Sequence, residues 1–393
     1  MNSIQPGYKQ TEVGVIPEDW NSARLGKVAT LQRGFDLPHR LRKPGIVPIV
    51  TSSGLGDTHS ESKVTGPGVV TGRYGTIGDV FYVVKDFWPL NTTLYVKEFH
   101  GNNPLFISYL LKTIDFHTHS GKSGVPGVNR NDLHELIVPV PSTLAEQTAI
   151  AEALSDADTL IESLEQLIAK KRQLKQGAMQ ELLTGKKRLP GFSGEWLVKR
   201  LGELFEITSS KRVFQSEWTT WGVPFYRARE LAVLGEQGFV DNDLFITKEL
   251  YASCKKAYGV PAIGDILVTG VGTLGKVYVV VDEREFYFKD GNIIWFKCAD
   301  KICPEFLKQL YSTPLIIKQI EDGSEGTTVG TYTITNAKNT LIPFPSIPEQ
   351  TAIAATLSDL DAEISALEIK LTKSRALKQG MMHKLLTGQI RLI

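Results

Sequence analysis

Glu146-Gln147-Thr148-Ala149-Ile150-Ala151 recurs as Glu349-Gln350-Thr351-Ala352-Ile353-Ala354, and the likeness runs on without a gap. It passes through Leu174-Lys175-Gln176-Gly177 against Leu377-Lys378-Gln379-Gly380, then Leu182-Leu183-Thr184-Gly185 against Leu385-Leu386-Thr387-Gly388. About 26 of 44 aligned positions are identical, so one segment is present twice. Each copy spaces its apolar residues for a helix. The first offers Ile150, Leu154, Ala157, Ile161, Leu164 and Ile168; the second offers Ile353, Leu357, Leu360, Ile364, Leu367 and Leu371. Such alternating steps of four and three keep a single coiled-coil seam. Thr143 with Glu146, and Ser346 with Glu349, fit a capping box at each start. Gly185 and Gly388 stand where a left-handed C-cap belongs. Each helix is expected to run about 38–40 residues, roughly 57–60 Å at 1.5 Å per residue. The cheapest cover for one apolar stripe is the other copy. Gly177 and Gly380, each costing about 1 kcal/mol in a helix interior, point to a close helix crossing or an approaching partner.

The segments between the helices repeat only as a skeleton. Trp20 followed by Arg24-Leu25-Gly26 matches Trp196 followed by Arg200-Leu201-Gly202, and Val47-Pro48 matches Val223-Pro224. Thr71-Gly72 leading into Gly75-Thr76-Ile77-Gly78 matches Thr269-Gly270 leading into Gly272-Thr273-Leu274-Gly275. Pro104-Leu105-Phe106 matches Pro304-Glu305-Phe306, and Ile137-Val138-Pro139-Val140-Pro141 matches Leu341-Ile342-Pro343-Phe344-Pro345. Between these anchors the halves scarcely agree: they share a scaffold and differ in what they present. β runs such as Val80-Phe81-Tyr82-Val83-Val84, Thr93-Leu94-Tyr95-Val96, Val277 through Val281 and Ile293-Ile294-Trp295-Phe296 dominate both. A helix around 104–115, and again around 304–320, completes each mixed domain. The expected division is a domain at 1–141, a helix and linker at 142–191, a second domain at 192–345 and a second helix with tail at 346–393.

At 393 residues, 42% hydrophobic and 22% charged, the chain has the composition of a soluble globular protein of two or three domains. No apolar run reaches the length of a membrane span. The opening Met1-Asn2-Ser3-Ile4 has neither basic nor apolar leader character, so no secretory signal is expected. Cys254, Cys298 and Cys303 form no zinc-like pairing and suit free thiols in a reducing cytoplasm. Charge gives nucleic acid no help: the net is +1, with 14 Lys/Arg against 12 Asp/Glu in 1–141 and 17 against 19 in 192–345. A DNA reader of this composition needs its cations gathered on one face, or partners that supply the phosphate grip.

A Glu-Gln helix start after Pro-rich residues, ending in Leu-Lys-Gln-Gly and Leu-Leu-Thr-Gly, occurs twice, and Trp-x3-Arg-Leu-Gly opens each unlike domain. Over essentially the whole chain this pattern resembles the specificity (S) subunit of Type I restriction-modification enzymes. The resemblance implies an α+β fold: two pseudo-repeated mixed α/β target recognition domains, separated by two long antiparallel helices that form a coiled coil. It implies that each domain reads one half of a bipartite double-stranded DNA target while the coil fixes the gap. Methyltransferase (modification) subunits dock on such a subunit and endonuclease/translocase (restriction) subunits join them. It further implies no catalysis, metal or cofactor in the subunit itself. We find neither an Asn/Asp-Pro-Pro-aromatic tetrapeptide nor a Walker loop. The near-neutral charge keeps a second reading in view, a coil whose end domains bind proteins.

Two decoys are set aside. Gly270-Val271-Gly272-Thr273-Leu274-Gly275 matches a dinucleotide fingerprint, but a β run follows where the fingerprint requires a helix, so a tight turn between strands is expected. His117 and His119 share a face only in a strand and have no carboxylate or cysteine partner in register. Base reading asks for Arg, Lys, Asn or Gln that reach a groove. The candidates are Arg73 with Tyr74, and Lys276, flanking the paired glycine turns. Arg227 and Arg229 join them, placed on one strand face by alternation. Lys122, Asn129 and Arg130 precede the first long helix, and Thr327, Thr328 and Thr331 stand in the counterpart stretch.

Overall fold

The computed structural model describes residue 4 and residues 6–120, 126–297, 301–324 and 330–392; Lys122, Cys298, Thr327 and Thr328 lie outside the described residues. The chain divides into two compact units. One comprises Met1–Gln166 with Glu368–Ile393, the other Leu167–Leu367, so both long helices contribute to both units.

The first unit is built on an antiparallel sheet of β1 (Thr30–Arg33), β2 (Gly68–Gly72), β3 (Val80–Val83) and β4 (Thr93–Glu98), in the order β1-β4-β2-β3. Strand alternation sends successive side chains of β2 to opposite faces. Val69 joins a core with Phe106, Ile107 and Leu110 of helix α1 (Pro104–Leu111), and Val70 joins a second core with Val50 and Phe87. Asn103 caps α1, its Oδ1 accepting from the N–H groups of Leu105 and Phe106 at 2.9 and 3.1 Å. A smaller sheet lies beyond, with Val47–Thr51 between antiparallel Gly54–His59 and parallel Trp88–Pro89. Asn21–Arg24 pairs with Ile137–Val140 where the chain enters and leaves the domain. The first long helix, α2 (Leu144–Leu182), follows at 39 residues.

The second unit repeats the plan. Strands β5 (Glu206–Thr208), β6 (Ile266–Thr269), β7 (Val277–Val279) and β8 (Ile293–Lys297) pair in the order β5-β8-β6-β7. Leu197–Arg200 pairs with Leu341–Phe344 at the neck, and Val223–Tyr226 lies between Phe245–Ile246 and Tyr287–Phe288. The helix expected around 304–320 is broken into Pro304–Tyr311 and Pro314–Ser324. Two helices have no counterpart among the described residues of the first unit: α3 (Ala228–Gln237), whose Leu231 and Leu234 share a core cluster with Leu267, and Lys248–Tyr258. The last long helix, α4 (Ile347–Leu386), has 40 residues. Among the described residues no helix is long and apolar enough to cross a membrane.

Ion pairs show α2 and α4 running antiparallel. In the first unit Asp158 pairs with Lys378, and Glu165 with Arg375 at 2.6 Å. In the second, Lys171 pairs with Glu363 at 2.7 Å and Lys175 with Asp361 at 2.6 Å. Of the seam residues, Ile150, Leu154, Leu164, Ile168, Ile353, Leu357 and Ile364 are buried, while Ala157, Ile161, Leu360, Leu367 and Leu371 are half-buried. The ends of the seam are more than a coil. Ile150 and Leu154 share the first domain's core with Leu385 and Leu386, and Ile353 and Leu357 share the second domain's core with Leu182 and Leu183. Each such burial is worth about 1.5–3 kcal/mol, which anchors every helix end in a domain.

Two expectations about the helices need correction. A Cβ added to Gly177 or Gly380 would meet nothing within 4 Å, so no close helix crossing explains these glycines. The first capping box is only half made, and at the second helix no Ser346 side-chain cap is seen among the described residues. The Glu146 N–H donates to Thr143 Oγ1 at 3.2 Å, but the Thr143 N–H makes no reciprocal bond to the Glu146 carboxylate. At the second helix the Gln350 N–H donates to the Ser346 carbonyl. Both glutamates turn inward instead. Glu146 accepts from Trp20 Nε1 at 3.1 Å and from Arg391; Glu349 accepts from Trp196 Nε1 at 3.1 Å and from Arg188 at 2.5 and 2.6 Å. Their side chains are only 4% and 1% exposed, and the buried charge of each outcompetes a surface cap for its carboxylate. At the opposite ends, Gly185 and Gly388 adopt φ of 70° and 72°, and the N–H groups of Lys187 and Ile390 close back on Glu181 and Lys384 at 3.2 Å.

Candidate nucleic-acid interface

In each unit the glycine-rich turn after the central strand forms the floor of a cleft. In the first, Arg73 and Tyr74 follow β2, and their N–H groups both donate to the Thr92 carbonyl, at 2.8 and 3.1 Å. A bridge between Tyr74 and Gly127 brings the Asn129-Arg130 segment alongside. The resulting cleft has a volume of about 630 Å³ and is lined by Arg33, Arg73, Tyr74, His119, Asn129 and Arg130, with Asp132 on its wall. Thus four candidates far apart in sequence share one wall. Arg33 and His119 were not among them. Arg33 arrives through the pairing of β1 with β4, where it faces Leu94. His119 arrives on a 3₁₀ turn, Phe116–His119, rather than on a strand.

Electrostatics inside this cleft are uneven. The Arg33 Nη2 bonds both oxygens of Asp36, at 3.0 and 3.1 Å, and Asp36 also accepts from Asn91. Arg73 has no carboxylate partner among the described residues. Its guanidinium lies 4.5 Å over the Tyr74 ring and reaches the Asn91 carbonyl at 3.4 Å. Arg130 and Asn129 are exposed, and Asn129 caps the short helix Arg130–His134 through the Asn131 N–H at 3.0 Å.

The second cleft, about 690 Å³, stands on the equivalent turn between β6 and β7, where Gly272 and Gly275 take φ of 73° and 74°. The dinucleotide-like glycines are therefore a strand-to-strand turn. Arg227, Arg229, Glu236, Thr273, Lys276 and Asn292 line it. The strand reading of Arg227 and Arg229 is corrected here: the strand ends at Tyr226 and Arg229 lies in the first turn of α3. The overlooked signal was Glu230, placed three residues after Arg227 like a capping glutamate. It accepts from the Arg227 N–H at 3.1 Å and from that guanidinium at 2.9 and 2.5 Å. Burial works to raise the Glu230 pKa, but the hydrogen bonds and charge of Arg227 win and hold it below the usual value. Lys276 is likewise paired, with Glu236 at 2.5 Å. Arg229 is exposed and has no carboxylate partner among the described residues. Thr331 is half-buried next to Tyr332, whose N–H donates to the Gly270 carbonyl, and does not line the cleft. Among the described residues no group of three or more His, Cys, Asp and Glu could hold a metal ion.

A repeated scaffold thus carries two unlike clefts, each lined by arginines. The chain belongs to the family described as Type I restriction modification DNA specificity domain, whose family model matches residues 17–172 and 193–374. The specificity subunit of the Type I restriction enzyme MjaVIII, from Methanocaldococcus jannaschii, is 24% identical, the alignment covering 99% of this chain and 97% of that one. The EcoBI specificity subunit of Escherichia coli is also 24% identical, over 68% of this chain and 61% of its own length. The fold is similar to the crystal structure of the S subunit of a Type I system from M. genitalium, with a TM-score of 0.62 at 19% identity over 93% of this chain and 96% of that one. A further structure, described as bearing on complex assembly and conformational transition of the Type I system, gives a TM-score of 0.52 at 17% identity over 95% and 99%.

Proposed function

We propose that the chain is the non-catalytic DNA-recognition subunit of a Type I restriction-modification complex. Residues 1–141 and 192–345 each read one half of a bipartite double-stranded target. The antiparallel coil sets the spacer and docks methyltransferase subunits, to which endonuclease/translocase subunits join. The observation that carries this reading is the placement of two clefts on equivalent turns of one repeated scaffold, lined by different cations. Shared backbone and unlike donors are what a protein needs to hold two different sequences in one geometry. Near-zero charge in both domains makes the isolated chain a weak binder whose affinity rises sharply with its partners.

The test lengthens the coil. One heptad added after Leu164 and another after Leu367 preserves the seam and extends each helix by about 10 Å. That is roughly three base pairs at 3.4 Å each. Mapping base methylation in cells that carry the variant and its partners should give unchanged half-sites and a spacer longer by about one to three base pairs, since bending of DNA absorbs part of the change. Altered half-site bases, or an unchanged spacer in an active complex, would sink the ruler. A protein-binding scaffold predicts no motif at all.

A further inference from the structure

We infer that Arg73 reads a guanine in the half-site of the first domain, and that Tyr74 is the platform that holds its guanidinium ready. The inference rests on the recognition reading above and adds the residue and the base.

Three arginines line the first cleft, and they differ in what holds them. The fork of Arg33 is occupied by both oxygens of Asp36. A guanidinium already neutralised by a carboxylate has donors to spare only if that pair breaks. Arg130 is exposed at the first position of a five-residue helix and has no ring beneath it. Arg73 alone is both uncompensated and aimed. Its backbone is fixed on both sides: its N–H donates to the Thr92 carbonyl at 2.8 Å, and its carbonyl accepts from Val128 at 3.0 Å. The planar head lies 4.5 Å over the Tyr74 ring.

The ring is itself held. A Cβ added to Gly127 would fall 2.5 Å from Cδ1 and Cε1 of Tyr74, so this edge of the ring lies against bare backbone where a side chain would clash. Bare Gly127 backbone against the Tyr74 ring edge, and that ring beneath the Arg73 guanidinium, thus build one wall of the cleft, with Tyr74 46% exposed. The ring contact and the 3.4 Å bond from Nη1 to the Asn91 carbonyl hold the head, leave its other donors without a hydrogen-bond partner among the described residues, and lower the side-chain entropy lost on contact. An edge-on fork matches O6 and N7 of guanine, a pair of acceptors that only guanine presents in the major groove. A phosphate anchor would need only charge, which a flexible lysine supplies as well.

The experiment uses the assembled complex, with methylation motifs mapped for the native chain and for Arg73→Lys, Arg73→Ala, Tyr74→Phe and Tyr74→Ala. The expected result is a G·C pair at one position of the first half-site. Both Arg73 variants lose discrimination there, by roughly 5- to 150-fold. Tyr74→Phe keeps it because the ring remains, and Tyr74→Ala weakens it. The second half-site stays readable throughout and reports that the variant is folded. A duplex with 7-deazaguanine at that position, which lacks the N7 acceptor, should bind the native complex less tightly and the Arg73→Ala complex equally. An unchanged first half-site overturns the inference, as does a uniform loss of methylation with Arg73→Ala that Arg73→Lys restores, the mark of a phosphate anchor. Absence of any motif with the native chain would instead strike the recognition reading.

Discussion

Glu146 and Glu349 occupy the same place in the two units and hold the same kinds of partner, whereas the clefts at Arg73 and Arg229 share a position and almost no side chain. Each glutamate takes an indole N–H and an arginine, Trp20 with Arg391 in one unit and Trp196 with Arg188 in the other. The arginine always comes from the far end of the other long helix. In the first unit it therefore comes from the end of the chain, 245 residues from Glu146. Identity in the clasps and divergence in the clefts teach which residues keep the scaffold and which are free to set specificity. They also bring Arg391 onto Asp19, at 2.9 and 2.8 Å, within the first unit.

The clasps differ in what else holds each arginine, and breaking them should give the largest effect. Arg188 has Glu349 as its carboxylate partner, whereas Arg391 has both Glu146 and Asp19. The hydrogen bonds from Arg391 hold the Asp19 carboxyl below the usual carboxylate range. Glu349→Ala strands the half-buried Trp196 N–H and leaves Arg188, about a quarter exposed, with only the Gly194 and Ser193 carbonyls, at a cost of about 2–3 kcal/mol after allowance for solvent. Glu146→Ala leaves Arg391 with Asp19 and should cost about 1 kcal/mol less. Local opening free energies from hydrogen exchange at the starts of α2 and α4 measure both. Equal losses would show that Asp19 does not share the load.

The helices were legible in the sequence because their information is local: a seam at steps of four and three and a terminal glycine suffice. The glycine turns were legible for the same reason, and they led directly to Arg73, Tyr74 and Lys276. Arg33 was not, since it reaches the cleft only through register with Leu94, sixty residues away in sequence. The Arg227 alternation misled because a two-residue period is also what a short strand end leading into a helix shows. Capping by Glu146 was the natural local reading, and it failed against a partner that only the fold brings near.

The clefts can be set against each other next. Arg229 is to the second cleft what Arg73 is to the first: the arginine without a carboxylate among the described residues, while Arg227 and Lys276 are tied to Glu230 and Glu236. Arg229→Ala is expected to relax one base in the second half-site, by about 1–3 kcal/mol of discrimination, and to leave the first half-site as it was. Methylation mapping reads both halves at once. A change in both, or in the first alone, would mean that the two clefts do not read separately.

The smallest effect concerns acid, and it should distinguish the units because one side chain differs at a shared position. Gly26 packs against His134 in the first unit, and the equivalent Gly202 packs against Lys338 in the second. His134 Nε2 accepts the Leu31 N–H at 2.8 Å, so the native state needs this nitrogen unprotonated. Burial, and then the charge of Arg130, hold its pKa below the ordinary histidine value, against a weaker pull from Glu135. The sign follows from which state binds the proton first. Above about pH 6.5 the ring is neutral whether folded or unfolded, and the hydrogen bond contributes fully. As pH falls below that value the unfolded chain takes up the proton before the folded one, and stability drains until the depressed native pKa is passed. The second unit has no imidazole at this place, because Lys338 stands there. Unfolding midpoints at pH 7.5 and 5.5 should therefore fall more for the first unit than for the second. His134→Gln, which keeps an acceptor and removes the titration, should flatten the difference. If the acid-induced loss in the first unit persists in His134→Gln, the sensitivity belongs to another group.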